Sequence, residues 1–366
     1  MQDQPDIHGI EPLTVYGSNL SYFTGKLEMY LRAKGIAYQF KPMNAHRIMP
    51  LVTRETGTSQ MPAATLADGR WITDTTPIIA WLEHHYPVPP IVPTDPVQRF
   101  FSLLLEDYAD EWLWRPAMHH RWYSAEGALL QSRHLVDEIT PGVPAPRFLK
   151  RFVLRRRQRG YSFGDGVNEQ NREQIEDTYL RNLDWMQAVF SQRPFFLGNS
   201  PSLVDIAFTG PFFRHFSQDP VPAEIMKQRA PAVWEWVARM WNCSDRVQGD
   251  WLPRLPADWS PWLREIGHVY LPYLSENAIA VQAGKKRFTP TVDGVTYTDA
   301  RVSRYRVWCL EELRGHYQAL PEASRTEVQD ILQRHDCWEP LWRIESLNSG
   351  VNEGVTLPFA CTDKMV

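Results

Sequence analysis

The sequence predicts an α+β protein in which a small mixed sheet with its helices precedes a long all-helical region. Three observations support this fold class. The first 86 or so residues alternate between short β-prone runs and helical patterns in the order βαβαββα. A segment with five prolines, 87–96, then interrupts regular structure. Helical patterns follow that segment over most of the remaining chain.

The N-terminal elements follow from chain breakers and periodicity. Gly17-Ser18-Asn19 ends the first β-prone run, and Gly35 stands where a helix C-cap glycine belongs. Asp68-Gly69 between two short β-prone runs indicates a tight hairpin. The predicted elements are a strand at 13–16, a helix from Thr24, a strand at 37–40, a helix within 44–56, strands at 63–66 and 71–73, and a helix that begins near Pro77.

The rest of the chain divides at a second proline-rich break, 253–261. Helices are predicted at 100–115, 170–190, 202–213 and 231–241, and the third is so apolar that it should be buried. A chain of 366 residues exceeds the ~250–300 at which single cores stop growing. We therefore predict an N-terminal domain at 1–88, a helical domain at 89–261 and a C-terminal extension at 262–366 that packs on the helical domain.

Composition excludes several classes of function. A net charge of −4 gives no overall attraction to nucleic acid or to anionic membranes. No apolar run reaches the ~18–20 residues of a membrane span, and residues 1–9 lack the pattern of a signal peptide. The four cysteines are far apart, and no Cys/His cluster has zinc spacing. We expect a cytoplasmic protein without disulfides, a metal site, a nucleic-acid partner or a membrane span.

Three motifs carry a family resemblance. Met61-Pro62 precedes the third strand, Asp74-Thr75 precedes the last helix of the N-terminal domain, and Ser202-Leu203-Val204-Asp205 follows Phe196-Leu197-Gly198. In this order and spacing they resemble the glutathione transferase superfamily over residues 11–250. The resemblance implies a thioredoxin-like N-terminal domain, glutathione as co-substrate and a homodimer.

The likeness is weaker elsewhere. Asn19 to Lys26, and the chain beyond residue 250, are similar to long bacterial glutathione transferase-like proteins whose substrates the sequence does not name. Within the extension, Asp293-Gly294 indicates a hairpin-like turn. A helix at 303–320 has one apolar face, which we expect to lie on the helical domain near the entrance of the ligand pocket. The remaining tail is predicted to lack regular secondary structure.

The resemblance implies how four residues would bind glutathione. A cis Met61-Pro62 bond would expose the Met61 backbone to pair with the cysteinyl backbone of the tripeptide. Thr75 and the helix N-terminus would bind the γ-glutamyl carboxylate, and Asp74 its ammonium group. The structural alternatives are a trans proline that starts a strand and a plain helix N-cap at Asp74-Thr75.

A loop hydroxyl is expected to stabilise the glutathione thiolate. Lowering a thiol pKa by ~2 units requires ~2.7 kcal/mol, which a hydroxyl donor and a helix N-terminus together can supply. Ser21 matches the serine-type catalytic position, although Tyr22 stands where the family usually has proline. Tyr22, Thr24 and Tyr16 are rival donors, and an ordinary loop serine is the alternative. The absence of cysteine from this loop argues against the thiol-disulfide branch of the family.

Aromatic residues crowd the first long helices. In the family layout this region faces the glutathione sulfur, which implies a pocket for a hydrophobic electrophile lined by Trp112, His119 and Trp122. The alternative is a packed aromatic core. Ser202 and Asp205 are interpreted as a buried capping box with a role in folding. The basic run from Arg147 to Arg159 is interpreted as a solvated helix face or loop, with a nucleic-acid or membrane patch as the alternative.

Two functions from different classes remain. One is an enzyme that activates the glutathione thiolate for attack on a hydrophobic electrophile. The other is a binding or scaffold protein that has kept the fold without turnover, since fold does not fix function. The three motifs and the loop hydroxyls favour the enzyme, whereas Tyr22 and the long extension favour the scaffold.

Overall fold

The computed structural model describes residues 9–246, 249–351 and 357–359. The predicted N-terminal order βαβαββα is confirmed. Residues 1–8 lie outside the described residues, so the prediction that this segment is not a signal peptide is not tested. Cys361 also lies outside them. The N-terminal elements are β1 (Leu13–Gly17), α1 (Tyr22–Lys34), β2 (Tyr38–Pro42), α2 (Ile48–Thr56), β3 (Ala63–Thr65), β4 (Trp71–Thr73) and α3 (Thr75–His85).

Local chemistry sets the ends of α1. Ser21 is the N-cap, and its Oγ accepts a hydrogen bond from the Thr24 N–H at 3.3 Å. Gly35 ends the helix at φ 69°, a left-handed conformation that glycine adopts without steric cost. The predicted C-cap is therefore confirmed, while the helix begins two residues before the predicted start.

The four strands form one sheet in the order β2-β1-β3-β4. β1 runs parallel to β2 and antiparallel to β3, and β3 runs antiparallel to β4. The fold is thus mixed α+β with a small N-terminal sheet and a mostly helical remainder, as the sequence predicted.

The helical region is held together by a buried central helix. This helix, α9 (Leu203–Pro211), packs against α1 and α4 (Pro96–Glu111) and so joins the N-terminal domain to the other helices. Asp205 accepts hydrogen bonds from the Ser202 N–H (2.9 Å), the Phe196 N–H (3.1 Å) and the Trp236 Nε1–H (3.0 Å), which confirms the predicted capping box. The helices are α4 (Pro96–Glu111), α5 (Trp114–Tyr123), α6 (Ala125–Ile139), α7 (Arg147–Gly164), α8 (Arg172–Phe190), α9 (Leu203–Pro211), α10 (Pro220–Arg229) and α11 (Pro231–Trp241).

The C-terminal extension packs on α4 of the helical region through α14 (Arg304–Gln318) and α15 (Glu322–Arg334). The hairpin at Asp293-Gly294 is confirmed, whereas the expectation of an irregular tail is wrong because α15 and α16 follow α14. The elements are α12 (Ser260–Glu265), α13 (Leu271–Gln282), β5 (Arg287–Phe288), β6 (Thr291–Val292), β7 (Val295–Thr296), β8 (Ala300–Arg301), α14 (Arg304–Gln318), α15 (Glu322–Arg334) and α16 (Trp338–Trp342). The domain boundaries at 88 and 261 stay predictions.

A buried ionic contact fastens the extension. Asp165 bonds Arg306 of α14 at 2.6 Å and Arg115 of α5 at 2.5 Å, and all three side chains are almost completely buried. Breaking a buried pair by removing one partner is costly, so this contact fixes where α14 lies.

Three further observations bear on the class of protein. In the described ranges no helix is long and apolar enough to cross a membrane. Cys243, Cys309 and Cys337 are free thiols in buried positions. Over the same ranges, no three His, Cys, Asp or Glu side chains are grouped so that they could hold a metal ion.

Candidate functional site

The sheet brings the three N-terminal motif segments to one edge. Tyr16 of β1 lies opposite Ala63 of β3, and Ala63 lies opposite Thr73 of β4. Because β3 is antiparallel to both neighbours, its first residues share an edge with the last residues of β1 and β4. Met61-Pro62 therefore lies between the loop that leads to Ser21 and the turn at Asp74-Thr75.

Two arginines of the helical region hold the β1–α1 loop. The Arg121 Nη1 donates to the Leu20 carbonyl at 2.6 Å, and the Arg214 Nη1 donates to the Asn19 carbonyl at 3.0 Å. Arg121 is itself paired with Asp219 at 3.0 Å in the interior. The loop is thus positioned by charged side chains about 100 and 200 residues away along the chain.

In this loop, the Ser21 hydroxyl group remains able to donate a hydrogen bond. It is half-buried, and its Oγ accepts from the Thr24 N–H, which leaves the hydroxyl proton free to point elsewhere. The first backbone N–H groups of α1 add positive potential beside it.

Burial and existing contacts disfavour Tyr22 and Thr24 as thiolate donors, so Ser21 stays the proposed donor. The Tyr22 hydroxyl donates to the Ala109 carbonyl at 2.5 Å, and burial raises its pKa well above the ordinary value. Its ring lies against Gly210, where a Cβ atom would come within 2.5 Å of it. Thr24 is fully buried, and its Oγ1 accepts from the Ser18 N–H at 3.4 Å. Tyr22 is therefore a core residue.

Met61-Pro62 is cis, as predicted, so the alternative of a trans proline is wrong. The Met61 side chain is half-buried and packs against two small hydrophobic clusters, one that contains Leu20 and one that contains Tyr16. The backbone N–H of Met61 makes no hydrogen bond to any described residue.

Asp74 does not act as the plain N-cap that was the structural alternative. It has φ 68°, and its side chain makes no capping hydrogen bond. The Tyr305 hydroxyl donates to Oδ1 at 3.4 Å, while Oδ2 is buried with no partner among the described residues. Burial raises the Asp74 pKa to about 7, Lys26 opposes that shift and Asp110 adds to it. Thr75, the first residue of α3, is buried.

A buried ionic cluster lies next to Asp74. The Lys26 Nζ bonds Glu106 at 2.6 Å, Asp110 at 2.5 Å and the Thr76 Oγ1 at 3.2 Å. The two carboxylates hold the Lys26 pKa above its ordinary value despite burial. Burial raises the Asp110 pKa to about 7, which Lys26 only partly offsets. The cluster ties α1, α3 and α4 together behind the candidate site.

The expected second-substrate pocket of Trp112, His119 and Trp122 is not formed. The three residues are only 1, 3 and 2% exposed. Trp112 packs on Tyr273 and Tyr297 of the extension, so the extension fills the space beside it. His119 bonds Glu176 at 2.9 Å, and its burial lowers its pKa. These aromatic side chains are core, which was the alternative considered from the sequence.

The contacts that sequence reasoning missed act over long separations. Arg121, Arg214 and Tyr305 each contact a motif loop that lies 101 or more positions away along the chain. No local pattern in the sequence marks these three long-range contacts. Two cavities, of about 490 and 430 Å³, are lined by none of the predicted site residues, so the strand register and not a cavity locates the candidate site.

The fold, and the sheet edge at which the three motif segments meet, define a thioredoxin-like sheet joined to a helical domain. Comparisons with known proteins agree with this description. Residues 15–90 match the glutathione S-transferase N-terminal domain, and residues 169–239 match the glutathione S-transferase C-terminal domain. These two matches, in this chain order, support membership of the glutathione S-transferase superfamily. No curated protein matches the chain.

Solved structures resemble the chain at low identity. The beta-etherase LigF from Sphingobium sp. strain SYK-6 is 19% identical, with 63% of this chain and 95% of that one covered and a TM-score of 0.43. A glutathione S-transferase from Rhodospirillum rubrum F11 is 16% identical, with 67% and 96% covered and a TM-score of 0.43. A glutathione S-transferase from Methylobacterium radiotolerans, in complex with glutathione sulfonate, is 17% identical, with 67% and 99% covered and a TM-score of 0.39.

Proposed function

We propose that this protein binds glutathione at the motif edge of the N-terminal sheet and activates its thiol for attack on a hydrophobic electrophile. The observation that carries the proposal is the shared edge of Ser21, Met61-Pro62 and Asp74-Thr75, set by the register of β1, β3 and β4. The Met61 backbone would pair with the cysteinyl backbone of glutathione, and the N-terminus of α3 with the γ-glutamyl carboxylate.

The thiolate step rests on Ser21. Its hydroxyl would donate to the sulfur while its Oγ keeps the N-cap bond to Thr24. The thiolate forms a carbon–sulfur bond to the electrophile, whose leaving group departs with the electron pair. Charge-assisted donation and the α1 N-terminus stabilise the sulfur anion before the attack.

Asp74 is the proposed partner of the γ-glutamyl ammonium. In its present contacts the carboxylate lies beneath Tyr305, so binding through Asp74 requires Tyr305 to move aside or to share the carboxylate. A cation next to Asp74 would lower its raised pKa, because an opposite charge favours the ionised form. Glutathione binding should therefore release a fraction of a proton near pH 7.

Calorimetry with glutathione at millimolar concentration tests binding. The matched ligand is the tripeptide in which α-aminobutyrate replaces cysteine, since it keeps every proposed backbone and γ-glutamyl contact and lacks the thiol. Both ligands should bind and raise the unfolding temperature. A turnover assay with a chloronitrobenzene electrophile then tests activation. Absence of heat and of a thermal shift with either ligand contradicts the proposal.

The second candidate is a glutathione transferase-like binding or scaffold protein without turnover. Two observations favour it. The Tyr305 hydroxyl already occupies the Asp74 carboxylate, and Trp112, His119 and Trp122 lie in the core. Binding of both tripeptides without turnover of any electrophile supports this candidate over the enzyme.

The oligomeric state and the cellular location of the protein are also proposals. We propose a homodimer, which the family resemblance implies, and sedimentation velocity would measure it. We propose a cytoplasmic location because the buried thiols Cys243, Cys309 and Cys337 are unpaired, which suits a reducing compartment. Fractionation of expressing cells checks the location.

A further inference from the structure

Helix α7 turns an apolar stripe away from the protein. Ten large hydrophobic side chains are exposed in the described ranges, and five of them belong to this one helix. Three are phenylalanines: Phe148, Phe152 and Phe163 are 75, 64 and 66% exposed. Leu154 and Ser162 lie on the buried side, where α7 packs on α5 and α6. Phenylalanines at this exposure, clustered on one helix, mark a surface that binds something.

The same helix is strongly cationic. Between Arg147 and Phe163 the sequence has seven basic residues and no Asp or Glu. Of these seven, only Arg147 forms an ion pair with a carboxylate among the described residues, Asp137. The basic residues are Arg147, Lys150, Arg151, Arg155, Arg156, Arg157 and Arg159. The protein's net charge is −4, so this positive charge is a local feature of α7.

An open cavity lies beside the stripe. Its volume is about 490 Å³, and its lining includes Arg156, Arg157 and Arg301 with Val153, Gly160 and Tyr161. Arg301 comes from β8 and lies against Gly164, where a Cβ atom would be 2.6 Å from the guanidinium carbon. The extension thus adds a third guanidinium to the two from α7. Guanidinium groups that converge on an open cavity suit a phosphate group.

We propose that α7 and Arg301 bind the surface of an anionic lipid bilayer. The phenylalanines enter the boundary between headgroups and acyl chains, and the arginines contact headgroup phosphates, with one headgroup in the cavity. Helices that lie in the membrane plane combine an apolar stripe with Lys and Arg in this way. Each cation near an anionic surface adds attraction. The long arginine side chains reach the phosphates while the neighbouring phenylalanine rings enter the apolar boundary.

Charge selects this occupant over two others. A second copy of the chain docked through α7 would bring seven cations against seven cations, which is unfavourable. A nucleic acid would satisfy the arginines but would leave the aliphatic Leu149 and Val153 in water. A bilayer of anionic lipid satisfies both the charges and the apolar side chains.

Sedimentation with lipid vesicles tests the proposal on the full chain. The probes are vesicles of phosphatidylcholine alone and vesicles that contain one-third phosphatidylglycerol, each at low and high salt. We expect binding to the anionic vesicles alone, weakened by salt. Arg156→Gln/Arg157→Gln should weaken the partition by about thirtyfold, since each cation contributes about fivefold. Phe148→Ser/Phe152→Ser should weaken it by about tenfold or more.

Matched controls separate this surface from general effects of charge or stability. Arg54→Gln/Arg334→Gln removes two exposed arginines from α2 and α15 and should leave the partition within about twofold. Leu252→Ser/Ile279→Ser removes two exposed apolar side chains elsewhere and should do the same. Circular dichroism confirms that all four variants fold, which the exposure of the substituted side chains leads us to expect.

Three results would overturn the proposal. One is no binding of the wild-type protein to anionic vesicles. Another is binding that the α7 variants weaken no more than the controls do. The third is binding of a single-stranded oligonucleotide, or self-association in sedimentation velocity, that the α7 variants abolish while vesicle binding is absent. Inorganic phosphate at millimolar concentration should not displace the protein from vesicles, because the phenylalanines contribute to the binding.

Discussion

The Tyr305 hydroxyl donates a hydrogen bond to the Asp74 carboxylate at 3.4 Å, joining the C-terminal extension to the edge of the N-terminal sheet. Burial raises the Asp74 pKa to about 7, and the hydrogen bond from Tyr305, which favours the ionised carboxylate, opposes part of that shift. The extension therefore contacts a residue at which glutathione binding is proposed.

Tyr305→Phe should destabilise the protein more at pH 8 than at pH 6. Asp74 is mostly ionised at pH 8, and the lost donor then leaves a buried charge without its partner, which costs about 1–3 kcal/mol. At pH 6 the carboxyl is mostly protonated and the cost is about 1 kcal/mol or less. Urea unfolding at the two pH values measures the difference.

Tyr179→Phe is the matched control for Tyr305→Phe. The Tyr179 hydroxyl is also buried, but it donates to the uncharged Pro222 carbonyl at 2.6 Å. Its loss should cost about 1 kcal/mol at both pH values. An equal cost of Tyr305→Phe at pH 6 and pH 8 would count against an ionising Asp74 beneath Tyr305.

Much of the N-terminal fold was predictable because its signals are local. Ser21 and Gly35 cap α1 through contacts within a few residues, and Asp68-Gly69 closes a two-strand hairpin. The capping box of Ser202 and Asp205 is likewise local in sequence. Short-range chemistry of this kind fixes element ends whatever the rest of the chain does.

The pocket and the tail were mispredicted because tertiary packing decides them. A tryptophan that lines a pocket and one that fills a core look alike in sequence, and Trp112 became core when Tyr273 and Tyr297 of the extension packed on it. Tyr22 was judged by its position in a loop motif, yet its hydroxyl reaches Ala109, 87 residues away. Helix α15 was missed although Val328, Ile331 and Leu332 face the core with helical spacing.

Asp107→Asn should make stability depend less on pH. Burial raises the Asp107 pKa to about 8, although the Tyr270 hydroxyl donates to it at 2.6 Å and opposes the shift. An unfolded aspartate titrates near pH 3.9, so between about pH 4 and 8 the folded state binds more protons than the unfolded state. The free energy of unfolding contributed by Asp107 is therefore full below pH 4 and falls as pH rises through 8.

The measurement for Asp107→Asn is the free energy of unfolding from urea titrations at several pH values. Between pH 5 and 7 the slope against pH should become less negative by about 1.4 kcal/mol per pH unit, the value for one proton. Asp330→Asn, at an exposed position of α15, should leave the slope unchanged. A slope that does not change in Asp107→Asn would show that Asp107 is ionised in the folded protein throughout this range.

Lys26→Met should cost about 3–5 kcal/mol of stability, because it leaves Glu106 and Asp110 buried without their cation. The triple variant Lys26→Met/Glu106→Gln/Asp110→Asn should regain most of that loss, since no buried charge remains unpaired. Arg54→Gln, which breaks the exposed pair with Glu55, should change stability by less than about 1 kcal/mol. A triple variant as unstable as the single one would refute the explanation by unpaired charge.

Ser21→Ala should reduce turnover by roughly ten- to a thousandfold with little change in glutathione affinity, since losing one donor to a developing anion costs one to a few kcal/mol. The thiolate absorbance of bound glutathione should titrate at higher pH. Ala also removes the N-cap, so Ser21→Gly is the matched variant: it lacks the hydroxyl but loses only a few tenths of a kcal/mol of capping. Both variants should lose turnover alike, although Ala unfolds more easily.

Tyr22→Phe tests whether Tyr22 rather than Ser21 donates the hydrogen bond to the thiolate. The substitution removes the hydrogen bond to the Ala109 carbonyl, which should cost about 1 kcal/mol of stability and leave the thiolate titration where it is in the wild-type protein. If Tyr22→Phe shifts the titration and Ser21→Gly does not, the buried tyrosine must reach the sulfur in a conformation other than this one. If neither variant shifts it, the first N–H groups of α1 stabilise the thiolate without a side-chain donor, or the protein binds glutathione without activating it. Turnover of the chloronitrobenzene electrophile then decides between those two, because only an activated thiolate would form the conjugate faster than free glutathione does.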